Sequence, residues 1–193
     1  FNACDGTSSA GCFTYEPDRD GYEERAASLR AGTRFGKGHS IEAFALRTEG
    51  ESEFDGTFQN QTETLQQVLG GRLKLQALEA WSMTFQAGRT LDESDNFKDG
   101  VFSSTFDTER DTLSWQNDVR LGTSQLLTVG VDQQTDRVES ADLASWLPGV
   151  QGYALTERDN TGIFAEYQAG FGKHDLQAAL RRDDNEQFGD ETT

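Results

Sequence analysis

The alternation between Thr112 and Asp136 limits this chain more sharply than any other stretch. Leu113, Trp115, Val119 and Leu121 fall on one parity, and Thr112, Ser114, Gln116, Asp118 and Arg120 on the other. After a short link at Gly122–Gln125, Leu127, Val129 and Val131 alternate with Thr128, Gly130 and Asp132. Period two on both sides of a short connection predicts an antiparallel hairpin. One face is apolar and the other heavily polar, which suits a strand with lipid outside and a wet lumen inside. A sheet packed on a soluble core gives the same pattern, so this hairpin alone does not choose.

The same alternation recurs along the chain. Ala27, Leu29, Ala31, Thr33 and Phe35 predict a first strand over 22–35, and a second runs from the Gly36-Lys37-Gly38 turn to about residue 49. In that second strand Ile41, Ala43 and Ala45 compete with Phe44 and Leu46 for the apolar face. A third strand covers 64–75 and turns at 76–79. The fourth sets Trp81, Met83, Phe85 and Ala87 against Ser82, Thr84, Gln86 and Gly88. The central hairpin occupies about 105–136. Two further strands, through Ile163–Ala169 and Leu176–Leu180, flank a turn at Gly170–Lys173.

The connections alternate in length. Tight turns are expected near 37, 77, 123 and 172, and long polar loops near 1–21, 50–61, 92–104, 137–156 and 185–193. Four tight turns on one rim with the wide loops on the other describe an up-and-down meander of eight strands. Outer-membrane barrels have this asymmetry, whereas sandwiches need crossovers between sheets. Phe35, Trp81 and Phe171 stand beside the tight turns, where an interfacial aromatic girdle belongs. The expected fold is therefore all-β, an antiparallel meander of membrane-barrel type. Its lipid face is expected to carry Leu29, Leu73, Trp81, Met83, Phe85, Leu113, Trp115, Val119, Val129, Ile163, Tyr167, Leu176, Ala178 and Leu180. Ser82, Thr84, Gln116, Asp118 and Gln168 are expected to point inward.

Charge and cysteines bound the function. A formal net charge of -17 argues against nucleic acid, whose recognition needs positive stripes. No apolar run approaches the length of a membrane helix, which leaves a barrel open. No leader peptide is recognisable, and both ends read like those of an excised fragment. Cys4 and Cys12 are separated by a flexible polar stretch and predict a small disulfide loop in an oxidising compartment, with two free thiols as the alternative.

No catalytic constellation emerges, and the chain does not read as an enzyme. His39 and His174 sit beside tight turns, and no serine has a base in a recognisable motif. Asp18 and Asp20 share the turn Pro17-Asp18-Arg19-Asp20-Gly21, with Asn2 earlier and Asp55 and Asn60 in the next loop. Carboxylate and amide oxygens in flexible loops are calcium chemistry, although acidic loops of this kind are more often simply solvated. A second acidic group, Asp92, Glu93, Asp95 and Asp99, reads as a solvated outer loop. Arg181 and Arg182 beside Asp183 and Asp184 read as an arginine–carboxylate network on the lumen wall. Arg30, Arg34, Arg72 and Arg120, on the inward parity, are expected to meet lumen or plug carboxylates. The apolar Trp146-Leu147-Pro148-Gly149 stretch reads as either a ligand contact or an anchor for its link.

The segments Asn160-Thr161-Gly162-Ile163-Phe164 and Leu180–Gly189, with the Thr112–Gln133 hairpin and the Pro17–Tyr22 turn, resemble the barrel of TonB-dependent outer-membrane transporters, nearest to the cobalamin branch. The resemblance implies an arc of a barrel of about twenty-two strands in the bacterial outer membrane. It implies partners outside this chain: lipid, an N-terminal plug, the remaining strands, and a periplasmic energy-coupling protein that acts through the plug. Cobalamin is implied as transported substrate rather than cofactor. Calcium between the outer loops is implied on Asn2, Asp18, Asp20, Asp55 and Asn60. Asn2 and Asn60 stand where the family pattern has aspartates. Two other readings remain open at this point. One is a self-closed eight-stranded outer-membrane barrel with a structural or adhesive role, and the other is a soluble calcium-binding β-domain.

Overall fold

A computed structural model describes residues 19–141, 153 and 155–193. Nine strands follow one another: β1 Tyr22–Phe35, β2 His39–Glu53, β3 Gln61–Leu78, β4 Trp81–Lys98, β5 Val101–Arg120, β6 Gln125–Ala141, β7 Glu157–Phe171, β8 His174–Asn185 and β9 Gly189–Thr192. They form one sheet in sequence order, every neighbouring pair antiparallel. The expected meander is present, without a crossover. Up-and-down order places the turns at 36–38, 79–80, 121–124 and 172–173 on one rim.

The strand register carries the tilt of the wall. One row of paired residues runs Thr33, Ile41, Leu73, Phe85, Trp115, Val131, Ile163, Arg182. It begins two residues from the β1 end at Phe35 and finishes eight residues past the β8 start at His174. With the tight turns as a level rim, the row climbs six residues in seven steps. At about 3.3 Å per residue and about 4.8 Å between strands, the strands lean by about 30°, near the ~35–45° of membrane barrels. The climb also explains the row's chemistry, which is apolar from Ile41 to Ile163 and charged at Arg182, where it has left the lipid zone.

Every residue expected on the lipid face shares one side of the sheet. Cross-strand partners include Leu73–Phe85, Phe85–Trp115, Val119–Trp81, Tyr167–Ala178 and Ala165–Leu180. This side is exposed: Leu29 by 70%, Leu69 by 62% and Leu180 by 61%. Among the described residues Ala169 is the one hydrophobic side chain that is buried. A soluble β-domain would cover such a surface with protein, so that reading fails. The self-closed barrel fails too, because β1 pairs with β2 alone and β9 with β8 alone.

Asn117 lies in the same apolar band, between Met83 and Val129. Its Oδ1 accepts a hydrogen bond from the Trp81 indole Nε1–H at 3.1 Å. Each group thus satisfies the other where lipid offers no partner.

Four loop boundaries differ from expectation, for one reason. The 92–104 stretch is not a loop: β4 and β5 stay paired to a two-residue turn at Asp99-Gly100. Both turn residues have positive φ, 53° and 76°, the geometry that Asp-Gly supplies in a tight hairpin. Asp92, Glu93 and Asp95 are therefore strand residues. The 50–61 loop shrinks to 54–60, β6 runs on to Ala141, and the 185–193 stretch contains β9. Nine strands thus replace eight. At the β8–β9 turn the Asn185 carboxamide oxygen accepts from the backbone N–H of Gln187 and Phe188, and Gly189 takes φ 78°. Above the lipid zone both faces mix charged and polar residues with scattered apolar ones, so the ladder continues while apolar alternation stops. The wide-loop rim therefore also holds two tight turns.

The ambiguous second strand resolves with Ile41, Ala43 and Ala45 on the lipid side and Phe44 inward. Phe44 lies over its partner Gly70, and Phe164 over its partner Gly130. At both glycines a Cβ would come within 2.4 Å of the ring. The glycines make room for aromatic rings on the lumen face.

Candidate functional site

The inward parity forms a polar wall. Near the tight-turn rim a concave region of about 1200 Å³ is bounded by Lys74, Gln76, Gln116, Asp118, Glu166 and Gln177, among others. Asp118 accepts from Gln116 Nε2 and Thr128 Oγ1, both at 2.9 Å. Glu166 accepts from Gln177 Nε2 at 2.8 Å. Higher on the wall, Arg110 and Arg158 share Asp136 at 2.6 and 2.7 Å.

Arg181 binds Asp132 at 2.7 Å and Asp183 at 2.8 Å while lying over the Phe164 ring. The lumen network expected around Arg181 and Asp183 is therefore present, but Arg182 faces the other side, onto Asp190. Of the other inward arginines, Arg30 meets the Glu42 carboxylate. Arg72 instead donates to the Gln86 carboxamide, and Arg120 to the Glu79 carbonyl. The lumen face of this arc therefore presents many neutral hydrogen-bonding groups, with ion pairs at Arg30, Arg110, Arg158 and Arg181 and neutral partners at Arg72, Arg120, Asp118 and Glu166.

The outward face changes character one row above the apolar band. Arg137 binds Glu109 at 2.6 Å, Asp111 at 2.9 Å and Glu157 at 2.6 Å, and Arg89 joins Asp111 at 2.7 Å. This network crosses β4 to β7 just outside the lipid zone. Hydrogen bonds from Arg89 and then Arg137 hold the Asp111 carboxyl down at a pKa of about 2. No sequence motif marked it, because its members are far apart in the chain.

Of the expected calcium set, Asp20, Asp55 and Asn60 fall at the rim opposite the tight turns. Asn2, Asp18, Cys4 and Cys12 lie outside the described residues, as does the 146–149 stretch. Asp20 precedes Gly21, whose backbone exchanges hydrogen bonds with Glu53 at the top of β2. Asp55 lies in the 54–60 loop and Asn60 at its foot. The loop closes on itself through Phe54 N–H to the Asn60 carbonyl, and on β4 through Asn60 N–H to the Phe97 carbonyl.

Asn60 Nδ2 donates to Asp99 Oδ1 at 3.0 Å, and its Oδ1 accepts from Asp99 N–H at 2.9 Å. That oxygen keeps a second lone pair, so the pairing is compatible with a metal on Asn60. Among the described residues no three His, Cys, Asp or Glu converge on one point. Lys98, which sequence reasoning missed, reaches the Gly56 carbonyl at 3.1 Å and Asp99 Oδ1 at 3.4 Å. Beneath it, Gln59 donates to the buried Ser104 hydroxyl at 2.9 Å.

Known proteins share this architecture. Over 184 residues, 93% of this chain, the sequence is 25% identical to the vitamin B12 transporter BtuB of Photobacterium profundum, of which it covers 28%. A mutant of the ferric enterobactin receptor PfeA of Pseudomonas aeruginosa superposes with a TM-score of 0.72 at 14% identity, over 96% of this chain and 32% of that one. The RagAB peptide importer in its open-open state gives 0.61 at 11% identity, over 89% of this chain and 29% of that one. The chain thus spans about a third or less of the proteins it matches, and the two structures establish the fold. Residues 5–193 match the family described as TonB dependent receptor-like, beta-barrel. With its lipid band, polar lumen face and tilted meander, this bacterial outer-membrane chain belongs to the TonB-dependent receptor family.

Proposed function

We propose that this chain forms part of the wall of a substrate-gated importer, driven through a plug by a periplasmic energy-coupling protein, and that the cargo is cobalamin or a related corrinoid. The observation that carries the reading is the match along nearly the whole chain to a vitamin B12 transporter. The lumen face supports it. Its glutamines, threonines and hydrogen-bonded arginines offer both donors and acceptors to an amide-rich ligand. Transport, not catalysis, is the activity this surface serves.

The outer loops are the capture element in this reading. Asp18, Asp20 and Asp55 bring carboxylates, and Asn2 and Asn60 amide oxygens, to a calcium ion between the loop before β1 and the 54–60 loop. Calcium would offset the repulsion among the carboxylates and order both loops. By linkage, ordering that favours the corrinoid complex raises affinity for both ligands. Cys4 and Cys12 would close a loop beside Asn2.

The test is equilibrium binding of labelled cyanocobalamin to the full-length receptor, with and without calcium, and calcium calorimetry on wild type, Asp18→Ala and Asp55→Ala. Saturable corrinoid binding that tightens with calcium is expected, with calcium affinity lost in both variants. A receptor that ignores cyanocobalamin and binds a ferric siderophore would overturn the cargo. Equal calcium binding by all three proteins would overturn the ligand set.

A further inference from the structure

Lys98 closes β4 at the outer rim, where a long aliphatic stem would ordinarily carry its ammonium into water. Instead its side chain is 29% exposed and its Nζ bridges two separate elements. It donates to the Gly56 carbonyl in the 54–60 loop at 3.1 Å and lies 3.4 Å from Asp99 Oδ1 in the β4–β5 turn. The same Asp99 Oδ1 receives Asn60 Nδ2. Gly56 directly follows Asp55, so the ammonium enters the peptide next to a proposed metal ligand.

A backbone carbonyl and a carboxylate oxygen, presented by different loops to one positive charge, are the oxygen donors a calcium ion gathers. Here part of that role belongs to a cation carried on the chain. We propose that Lys98 is a tethered cation that fastens the 54–60 loop to the β4–β5 turn, so that the loop stays docked without metal and the ammonium competes with a divalent ion for this junction.

The loop's position on the sheet agrees with a fastener. Gln59 hydrogen-bonds Ser104 and Asn60 bonds Asp99, so the loop already rests on the hairpin and the ammonium closes its far side at Gly56. Lysine supplies charge without fixed directionality, and a neutral isostere would leave the Gly56 carbonyl to water. The docking half of the proposal is independent of the cargo, and its competition half rests on the calcium reading above.

Hydrogen exchange of residues 54–60 in the full-length receptor tests both halves, in EDTA and in millimolar calcium. The variants are Lys98→Gln, which removes the charge, and Lys98→Arg, which keeps it. In EDTA the wild-type loop should be protected, Lys98→Gln should exchange about tenfold faster, and Lys98→Arg should stay near wild type. Calcium should restore protection in Lys98→Gln, and calorimetry should show that variant binding calcium several-fold more tightly than wild type. Unchanged protection of Lys98→Gln in EDTA overturns the tether. A loosened loop whose calcium affinity equals wild type overturns the competition. Absence of calcium binding to wild type and variant alike refutes the metal reading, while the EDTA result still decides the tether.

Discussion

Arginine placed at three successive positions of β5 separates the lipid face from the lumen face. Ser114, Trp115 and Gln116 differ by one residue each, and Trp115 alone is on the apolar side, paired with Phe85 and Val131. Asp111 marks the upper edge of the band on β5 and Val119 the lower, with Trp115 midway. Four residues from the edge is about 13 Å along the strand, or about 10 Å of depth at the tilt of a membrane barrel. Arginine near the midplane costs about 2–4 kcal/mol. The Trp115 ring also stacks on Phe85, with centroids 6.0 Å apart and planes 9° from parallel, and losing that contact adds about 0.5–1.5 kcal/mol. Trp115→Arg should therefore destabilise the receptor by about 3–5 kcal/mol, whereas Ser114→Arg and Gln116→Arg, in water, should stay within about 1 kcal/mol. Leu113→Arg, two residues nearer the edge, should fall between. Denaturant unfolding of the full-length receptor in phospholipid bilayers, followed by gel mobility and tryptophan fluorescence, reads these differences. A Gln116→Arg cost matching that of Trp115→Arg would refute the face assignment.

Asp111 provides a pH test. Its carboxyl titrates near 2 in the folded chain because Arg89 and Arg137 bond it, against about 4 when unfolded. The stabilisation is present above pH 4 and is lost as pH falls through 2. Its size should stay under about 1 kcal/mol, since the pair is partly in water. Asp111→Asn should flatten stability between pH 4 and pH 2, and an unchanged slope would rule the network out. Gly70→Ala should cost about 1–3 kcal/mol, because the new methyl meets the Phe44 ring. Adding Phe44→Leu should recover most of that loss in the same unfolding assay. Additive losses in the double variant would mean that the ring does not cover the glycine.

The lipid band was legible in the sequence because lipid favours apolar side chains on one parity, which Trp81, Met83 and Phe85 follow and from which Asn117, bonded to Trp81, departs. Where the strands leave the bilayer the constraint lapses. Arg89, Glu93 and Asp95 occupy the same parity as Phe85, so the ladder up to Lys98 looked like loop. The Asp99-Gly100 pair was the local sign that survived, and Asn185 followed by Gly189 was the equivalent sign for β9. Phe44 misled on face because its inward position depends on a missing side chain at Gly70, on another strand. The site was less legible. Asp20, Asp55 and Asn60 could be named from donor chemistry, but nothing local connects Lys98 with Gly56 or Asn60 with Asp99. Those pairings exist only through the register of β3 with β4.

The continued pairing of β4 and β5 beyond the apolar band sets the height of the opening. From Arg89 to Lys98 the wall rises a further nine residues, about 30 Å of strand and over 20 Å of elevation at the same lean. The described part of the rim that carries Asp55 and Lys98 therefore stands clear of the lipid head-groups as hydrogen-bonded sheet. A molecule arriving from outside touches protein well before it reaches the level of the membrane.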